Sequence, residues 1–182
     1  VFMSPDRLIK ILAIIPLSMA YKIAAFFSFV ALKCRLTIYE VSLENIQLCL
    51  PELTPKEQNL LAQRSVEEST KVIFETAKAW TQARAYSVKK IIAVDNLPLF
   101  TSALTSGKSI LLLAPHLGNW EILGPFLREH KPITTMYLPP KKEELHQFIV
   151  KRRNAIGLAL APANRKGVSQ VLKALKNGEF VA

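Results

Sequence analysis

Apolar residues follow two different patterns along this chain. From Ser42 to about Thr81 they recur at helical spacing between charged and amide side chains, which predicts amphipathic helices. Inside that stretch "TPKE" (Thr54 to Glu57) marks a helix start. Thr54 serves as N-cap, Pro55 as a first-turn residue and Glu57 as the reciprocal cap. From Ser87 onward the pattern changes to short continuous apolar runs separated by mixed segments. "IIAV" (Ile91 to Val94), "SILLLAP" (Ser109 to Pro115), "ITTMYLP" (Ile133 to Pro139), "LALAP" (Leu158 to Pro162) and "EFVA" (Glu179 to Ala182) read as strands. Between them, "LPLFTSALTSGK" reads as a helix ended near Gly107. "NWEILGPFLREH", the basic segment Glu143 to Ile156 and "KGVSQVLKALKNG" read as further helices. Apolar strands alternating with short helices predict an α/β fold, with a mixed, largely parallel sheet flanked by helices on both faces.

The most apolar stretch is "ILAIIPLSMAYKIAAFFSFVAL" (Ile11 to Leu32), long enough for the ~20 residues a bilayer span needs. Pro16 is placed to kink it, and Lys22 interrupts it near the middle. A charge at the bilayer centre costs about 2.5–3.5 kcal/mol unless it snorkels. Basic residues flank it on both sides (Arg7 and Lys10, then Lys33 and Arg35), so the positive-inside rule does not orient it. A spanning helix, a kinked segment lying in the interface and a buried core helix all remain open, with membrane association favoured. No small-residue cleavage site follows, which argues against a removable signal peptide. The expected organisation is a membrane-anchoring helical segment over residues 1–35 and an α/β domain over residues 36–182. The chain starts at Val1 and stops as "GEFVA" opens a strand, so a trimmed N-terminus and a domain incomplete at its C-terminus are expected.

Charge sharpens this picture. The chain has 24 Lys and Arg against 14 Asp and Glu, a net charge of +10, and residues 131–182 alone hold ten basic and three acidic residues. A surface of that kind attracts anions: lipid phosphates, an acidic protein or nucleic acid. Aromatics do not interleave with the basic clusters, and no helix-turn-helix or zinc signature is present, so nucleic acid is not expected as a partner. Cys34 and Cys49 show neither metal-ligand spacing nor a disulfide framework and read as reduced thiols facing a cytosol. His130 and His146 stand apart without a ligand pattern, so no metal and no cofactor are expected.

The candidate chemistry lies in "ILLLAPHLGNWEILGPF" (Ile110 to Phe126), where an apolar strand runs out at Pro115. Sites in α/β sheets gather where strands end and helices begin. His116 stands at that exit, Gly118 permits a tight turn, and Asn119 is placed to cap the next helix. On one continuous helix, residues five apart would diverge by roughly 140°. A strand-to-helix turn can instead bring His116 and Glu121 to one side, with the carboxylate orienting the imidazole. A neutral imidazole there can take a proton from a hydroxyl attacking an acyl carbonyl, while helix N-terminal amides stabilise the oxyanion. A plain structural pair explains the spacing equally well: a hydrogen-bonded turn histidine and an acid favoured by the helix dipole. No G-x-S-x-G elbow provides a serine nucleophile.

"PHLGNWE" after an apolar strand resembles the H-x4-[DE] site of the late acyltransferases of lipid A biosynthesis, the lauroyl/myristoyl transferase family of Gram-negative inner membranes. "SLENIQLCLPELTPKE" is similar to a further stretch of that family, with Ile46 for a leucine and Leu50 for the usual aromatic. "VKRRNAIGLALAPANRKGVSQVLKALKNGEFVA" is similar to the segment downstream of the catalytic motif. The resemblance implies a glycerolipid-acyltransferase-like fold at the cytoplasmic side of the inner membrane. It implies transfer of a fatty acyl chain from acyl carrier protein to a hydroxyl of an anionic lipid A precursor, without an acyl-enzyme. His116 would be the general base and Glu121 its orienting carboxylate. Arg153 would bind an anionic or oxyanionic group, although a solvated helix charge beside Lys151 and Arg152 also accounts for it. Arg165 and Lys166 would meet lipid phosphates or belong to a solvated loop. Asn119 and Trp120 would serve as turn cap and packing. In that family an acidic motif follows the strand begun by "GEFVA". Transfer to another glycolipid or glycerolipid, and a basic membrane-binding protein without chemistry, are the rival expectations.

Overall fold

In the computed structural model, which describes residues 4–82 and 84–182, the most apolar stretch of the chain is two helices. Helix α1 (Pro5–Ile14) stops just short of Pro16, and α2 (Leu17–Lys33) begins directly after it. The proline ring disfavours helical backbone at the preceding residue and supplies no N–H for the ladder. Among the described residues no single helix is long and apolar enough to cross a membrane; α1 and α2 pass that test only as a pair, bent by 110° at the break. Residues 1–3, where the expected anchoring segment starts, lie outside the described residues.

The chain divides into two compact units. Ile11–Ala77 forms a helical one, containing α2, α3 (Thr37–Cys49) and most of α4 (Pro55–Thr81). The expected helix start is present in full. Glu57 accepts from the Thr54 N–H at 2.8 Å and from its hydroxyl at 2.7 Å, while Thr54 Oγ1 accepts from the Glu57 N–H at 3.4 Å. Ala31, Tyr39, Leu43, Ala62 and Val66 make the core of this unit. Helix α2 is inverted relative to an ordinary surface helix. Its buried positions are small (Ala20, Ala24, Ser28 and Ala31), while Met19, Phe26 and Phe29 are exposed.

The second unit takes residues 78–182 and the chain's start as far as Lys10. After α5 (Arg84–Val88) and α6 (Leu97–Thr105) come β1 (Ile110–Leu111), a 3₁₀ turn (Trp120–Ile122) and α7 (Leu123–Arg128). They are followed by β2 (Ile133–Tyr137), α8 (Glu143–Ala155), β3 (Leu158–Pro162), α9 (Arg165–Lys176) and β4 (Phe180–Val181). The sheet has the order β1-β4-β2-β3, and every pairing is parallel: Ile110 opposite Phe180, Ile133 opposite Phe180, and Ile133 to Tyr137 opposite Leu158 to Pro162. Helices α7, α8 and α9 pack against it. Leu127, Ile133, Ile156, Leu158 and Phe180 form the core, each stabilising the fold by about 1.5–3 kcal/mol through burial. Helix α9 starts tight against the end of β3. Asn164 Oδ1 accepts from the Gly167 N–H at 3.1 Å, and a Cβ at Gly167 would lie 1.6 Å from the Pro162 carbonyl oxygen.

Two expected strands differ. "IIAV" is not a strand: no described strand pairs with it, and Ile92 is 99% exposed. An apolar run becomes a strand only where a ladder reaches it. "SILLLAP" keeps two residues in the strand and one further bond, from the Leu112 N–H to the Val181 carbonyl at 2.8 Å. Because all four strands run parallel, the segments after β1, β2 and β3 emerge at one edge of the sheet, where α/β proteins place their sites.

Candidate active site

Past Leu112 the chain leaves the ladder and turns. The Leu117 N–H bonds the Pro115 carbonyl at 2.8 Å, and Gly118 has φ of +59°, a left-handed conformation that suits glycine. The backbone then winds as a 3₁₀ turn before α7, where a helix starting at Asn119 was expected. Among the described residues Asn119 makes no side-chain cap, and its Oδ1 is buried without a partner. The tight winding also spends amides that an α-helix would leave free: Trp120 N–H bonds Gly118 at 3.2 Å and Ile122 N–H bonds Asn119 at 3.3 Å.

Glu121 is 7% exposed, and both of its oxygens are engaged. Arg153 Nη2 donates to Oε1 at 2.6 Å and Trp80 Nε1 donates to Oε2 at 2.9 Å. A buried carboxylate is tolerable only when paired in this way. The Arg153 guanidinium also lies over the Tyr137 ring at 5.5 Å, and Tyr137 stacks on His146 at 5.7 Å. Burial pushes the Tyr137 phenol above its usual range, and the Arg153 charge opposes that rise. Alongside, Arg152 donates to Asp6 and lies 5.2 Å from the Phe148 ring, which meets Trp80 edge-on at 5.8 Å. Lys10, and then Arg152, hold the Asp6 carboxyl below the usual carboxylate range, against the effect of desolvation.

His116 is the opposite case. It is exposed and makes no hydrogen bond among the described residues; its ring stacks on Trp120, with centroids 4.4 Å apart and planes at 21°. The bond expected between imidazole and carboxylate is absent among the described residues; the Glu121 oxygens accept from Arg153 and Trp80 instead. The turn nevertheless brings His116, Trp120, Glu121 and Arg153 to one cavity of ≈ 200 Å³, whose apolar side includes Leu123, Leu127, Ile133 and Leu158. An accessible imidazole at the mouth of an apolar cavity can take a proton from a hydroxyl beside a hydrocarbon chain.

Arg165 and Lys166 are exposed in the first turn of α9, at the same sheet edge, and do not line this cavity. Their strand is three positions from β1, roughly 14 Å across the sheet. His130 packs against Phe100 and Phe126. Trp80, Asp6 and Tyr137 were not singled out in the sequence. Trp80 and Asp6 are 41 and 146 residues from their partners, so no local spacing signals them.

The sequence model of the family described as bacterial lipid A biosynthesis acyltransferase matches residues 7–182. A phosphatidylinositol mannoside acyltransferase of Mycolicibacterium smegmatis is 34% identical over 73 residues, 40% of this chain and 23% of that protein. A phosphatidylinositol mannoside acyltransferase of Mycobacterium tuberculosis is 31% identical over 70 residues, 38% of this chain and 22% of that protein. The matched stretch therefore spans less than a quarter of either relative's length.

Proposed function

The chain belongs to the bacterial lipid A biosynthesis acyltransferase family, and from that membership we propose that it transfers a fatty acyl chain from acyl carrier protein to a hydroxyl of an anionic lipid A precursor. The observation that carries the reading is the shared cavity, with an accessible imidazole on one side and buried aliphatic side chains on the other. His116 takes the acceptor's hydroxyl proton as the oxygen attacks the thioester carbonyl. The C–O bond forms, the C–S bond breaks, and the imidazolium returns the proton to the leaving thiolate. No acyl-enzyme is needed. Glu121 holds Arg153 at the cavity wall, where the guanidinium meets the developing oxyanion. Arg165 and Lys166 attract acceptor phosphates from the same edge.

The acceptor has a second reading, favoured by the match to enzymes named for phosphatidylinositol mannoside. A phosphorylated glycolipid of that kind asks the same chemistry of His116. The attachment reading is that the protein sits at the cytoplasmic face of the inner membrane. The exposed Met19, Phe26 and Phe29 of α2, with Lys22, Lys33 and Arg35 beside them in sequence, support it. Release from membranes by detergent and not by salt is the expected result.

The test is the lipid A mass spectrum of cells that lack their own late acyltransferases and express this chain, with any reading frame continuing past Ala182 alongside. One added acyl mass, lost in His116→Ala, supports transfer to lipid A. An acyl mass appearing instead on a supplied phosphatidylinositol mannoside selects the second acceptor. No gain on either lipid contradicts transfer to these two acceptors.

A further inference from the structure

The carboxylate five residues on bonds Arg153 and Trp80 and makes no bond to the imidazole among the described residues, so another contact fixes the ring. We propose that Trp120 is the positioning residue for His116: its indole face orients the imidazole and supports the positive charge the ring acquires on taking a proton. The inference rests on the acyl-transfer reading for the source of that proton and not for the stack itself.

Three observations carry it. First, the stack on Trp120 is the one side-chain interaction His116 makes among the described residues. Second, Glu121 accepts from Arg153 and Trp80 and makes no bond to His116 among the described residues, so its charge faces a guanidinium and not the imidazole. Third, Trp120 Nε1 is buried without a hydrogen-bond partner among the described residues. A ring kept for packing alone could be phenyl or aliphatic and would avoid an orphaned donor. What indole adds over phenyl is the strongest π face for a cation, and 4.4 Å is well inside the ~6 Å over which that attraction acts.

The geometry also suits the chemistry. A hydrogen-bonding partner would occupy one of the two ring nitrogens. A face-on stack with planes 21° apart occupies neither, leaving one nitrogen for the acceptor hydroxyl and the edge of the ring open to the cavity. Glu121 acts at one remove. Its bonds to Arg153 and Trp80 hold the 3₁₀ turn that carries Trp120, and Trp120 holds His116.

The test compares the chain with Trp120→Phe and Trp120→Leu, each checked for folding by thermal unfolding. Two quantities are read: the ring-proton resonances of His116, assigned by their loss in His116→Gln, and kcat and KM for dodecanoyl transfer from acyl carrier protein to a lipid A precursor in detergent. The indole ring current is expected to move the His116 resonances upfield in the parent, less so in Trp120→Phe and not in Trp120→Leu. In Trp120→Leu kcat is expected to fall about tenfold with KM unchanged, and in Trp120→Phe by about threefold or less. Unshifted His116 resonances in the parent overturn the proposal. So does parental kcat in Trp120→Leu, or a Trp120→Phe variant as slow as Trp120→Leu. If neither parent nor variant transfers the dodecanoyl group, transfer to a lipid A precursor falls, while the resonances still uphold or overturn the stack.

Discussion

The turn that carries His116 and the cluster around Glu121 belong to one short motif, yet they are built in opposite ways. The turn is exposed, and its histidine makes no hydrogen bond among the described residues. The cluster centres on a buried carboxylate, bound by a half-buried guanidinium from α8 and a half-buried indole from α4. A proton acceptor has to be reached by its substrate, so it cannot be locked behind partners. The groups that fix its backbone do better when dry, since a paired charge holds its geometry more firmly away from water. Spacing alone suggested one His–Glu pair; the structure separates an exposed histidine from a buried, hydrogen-bonded carboxylate.

This contrast can be broken or sharpened by measuring stability. The largest change is expected for Glu121→Ala, which leaves Arg153 without its buried counter-charge and should cost about 3–5 kcal/mol in chemical denaturation. A cost below about 1 kcal/mol would mean that the cluster supports nothing. Next comes Trp80→Phe, which keeps a ring against Phe148 but removes the donor to Glu121 Oε2. Losing a hydrogen bond to a charged group should cost about 1.5–3 kcal/mol by the same measurement. Gly124→Ala should cost about 1 kcal/mol, because the new Cβ would lie 2.8 Å from Leu158 Cδ1, the movable end of a side chain. Both residues line the cavity, so competition between donors of different length should shift toward the shorter acyl chain. An unchanged length preference would take that wall out of acyl selection.

The smallest effect lies in the helical unit, outside the cluster. Bonds from the Thr54 side chain and then its backbone hold the Glu57 carboxyl below its ordinary value of 4.5. Its contribution to stability is therefore present above that value and is lost as pH falls through the lowered one. Thr54→Ala should remove most of this acid limb while leaving the rest of the pH profile in place, as read by unfolding titrations between about pH 2 and 6. An identical acid limb in both proteins would mean the cap does not couple to Glu57 ionisation.

What could be read from the sequence was local. The Thr54 and Glu57 cap involves residues three apart, and both bonds are present. Helices α8 and α9 and strands β2 and β3 follow their periodicity closely, because continuous apolar runs flanked by polar helices fit a parallel sheet. "IIAV" failed for the converse reason: its apolar run has no ladder to join among the described residues. At the site, the sequence indicated that His116, Glu121 and Arg153 matter together, and they do line one cavity. It could not say which of them touch. The partner of Glu121 is 32 residues away on α8, and Trp80 reaches it from the end of α4. Such contacts are set by how helices pack, which spacing within a motif does not encode.

The most direct measurement is thioester turnover by the purified chain, supplied with acyl carrier protein carrying a dodecanoyl group and a lipid A precursor, for the parent and His116→Ala. Loss of about 10²–10⁴-fold in kcat is expected, with the unfolding free energy unchanged within about 0.5 kcal/mol because the side chain is exposed. His116→Ala turning over at the parental rate would contradict the role of the imidazole as the base.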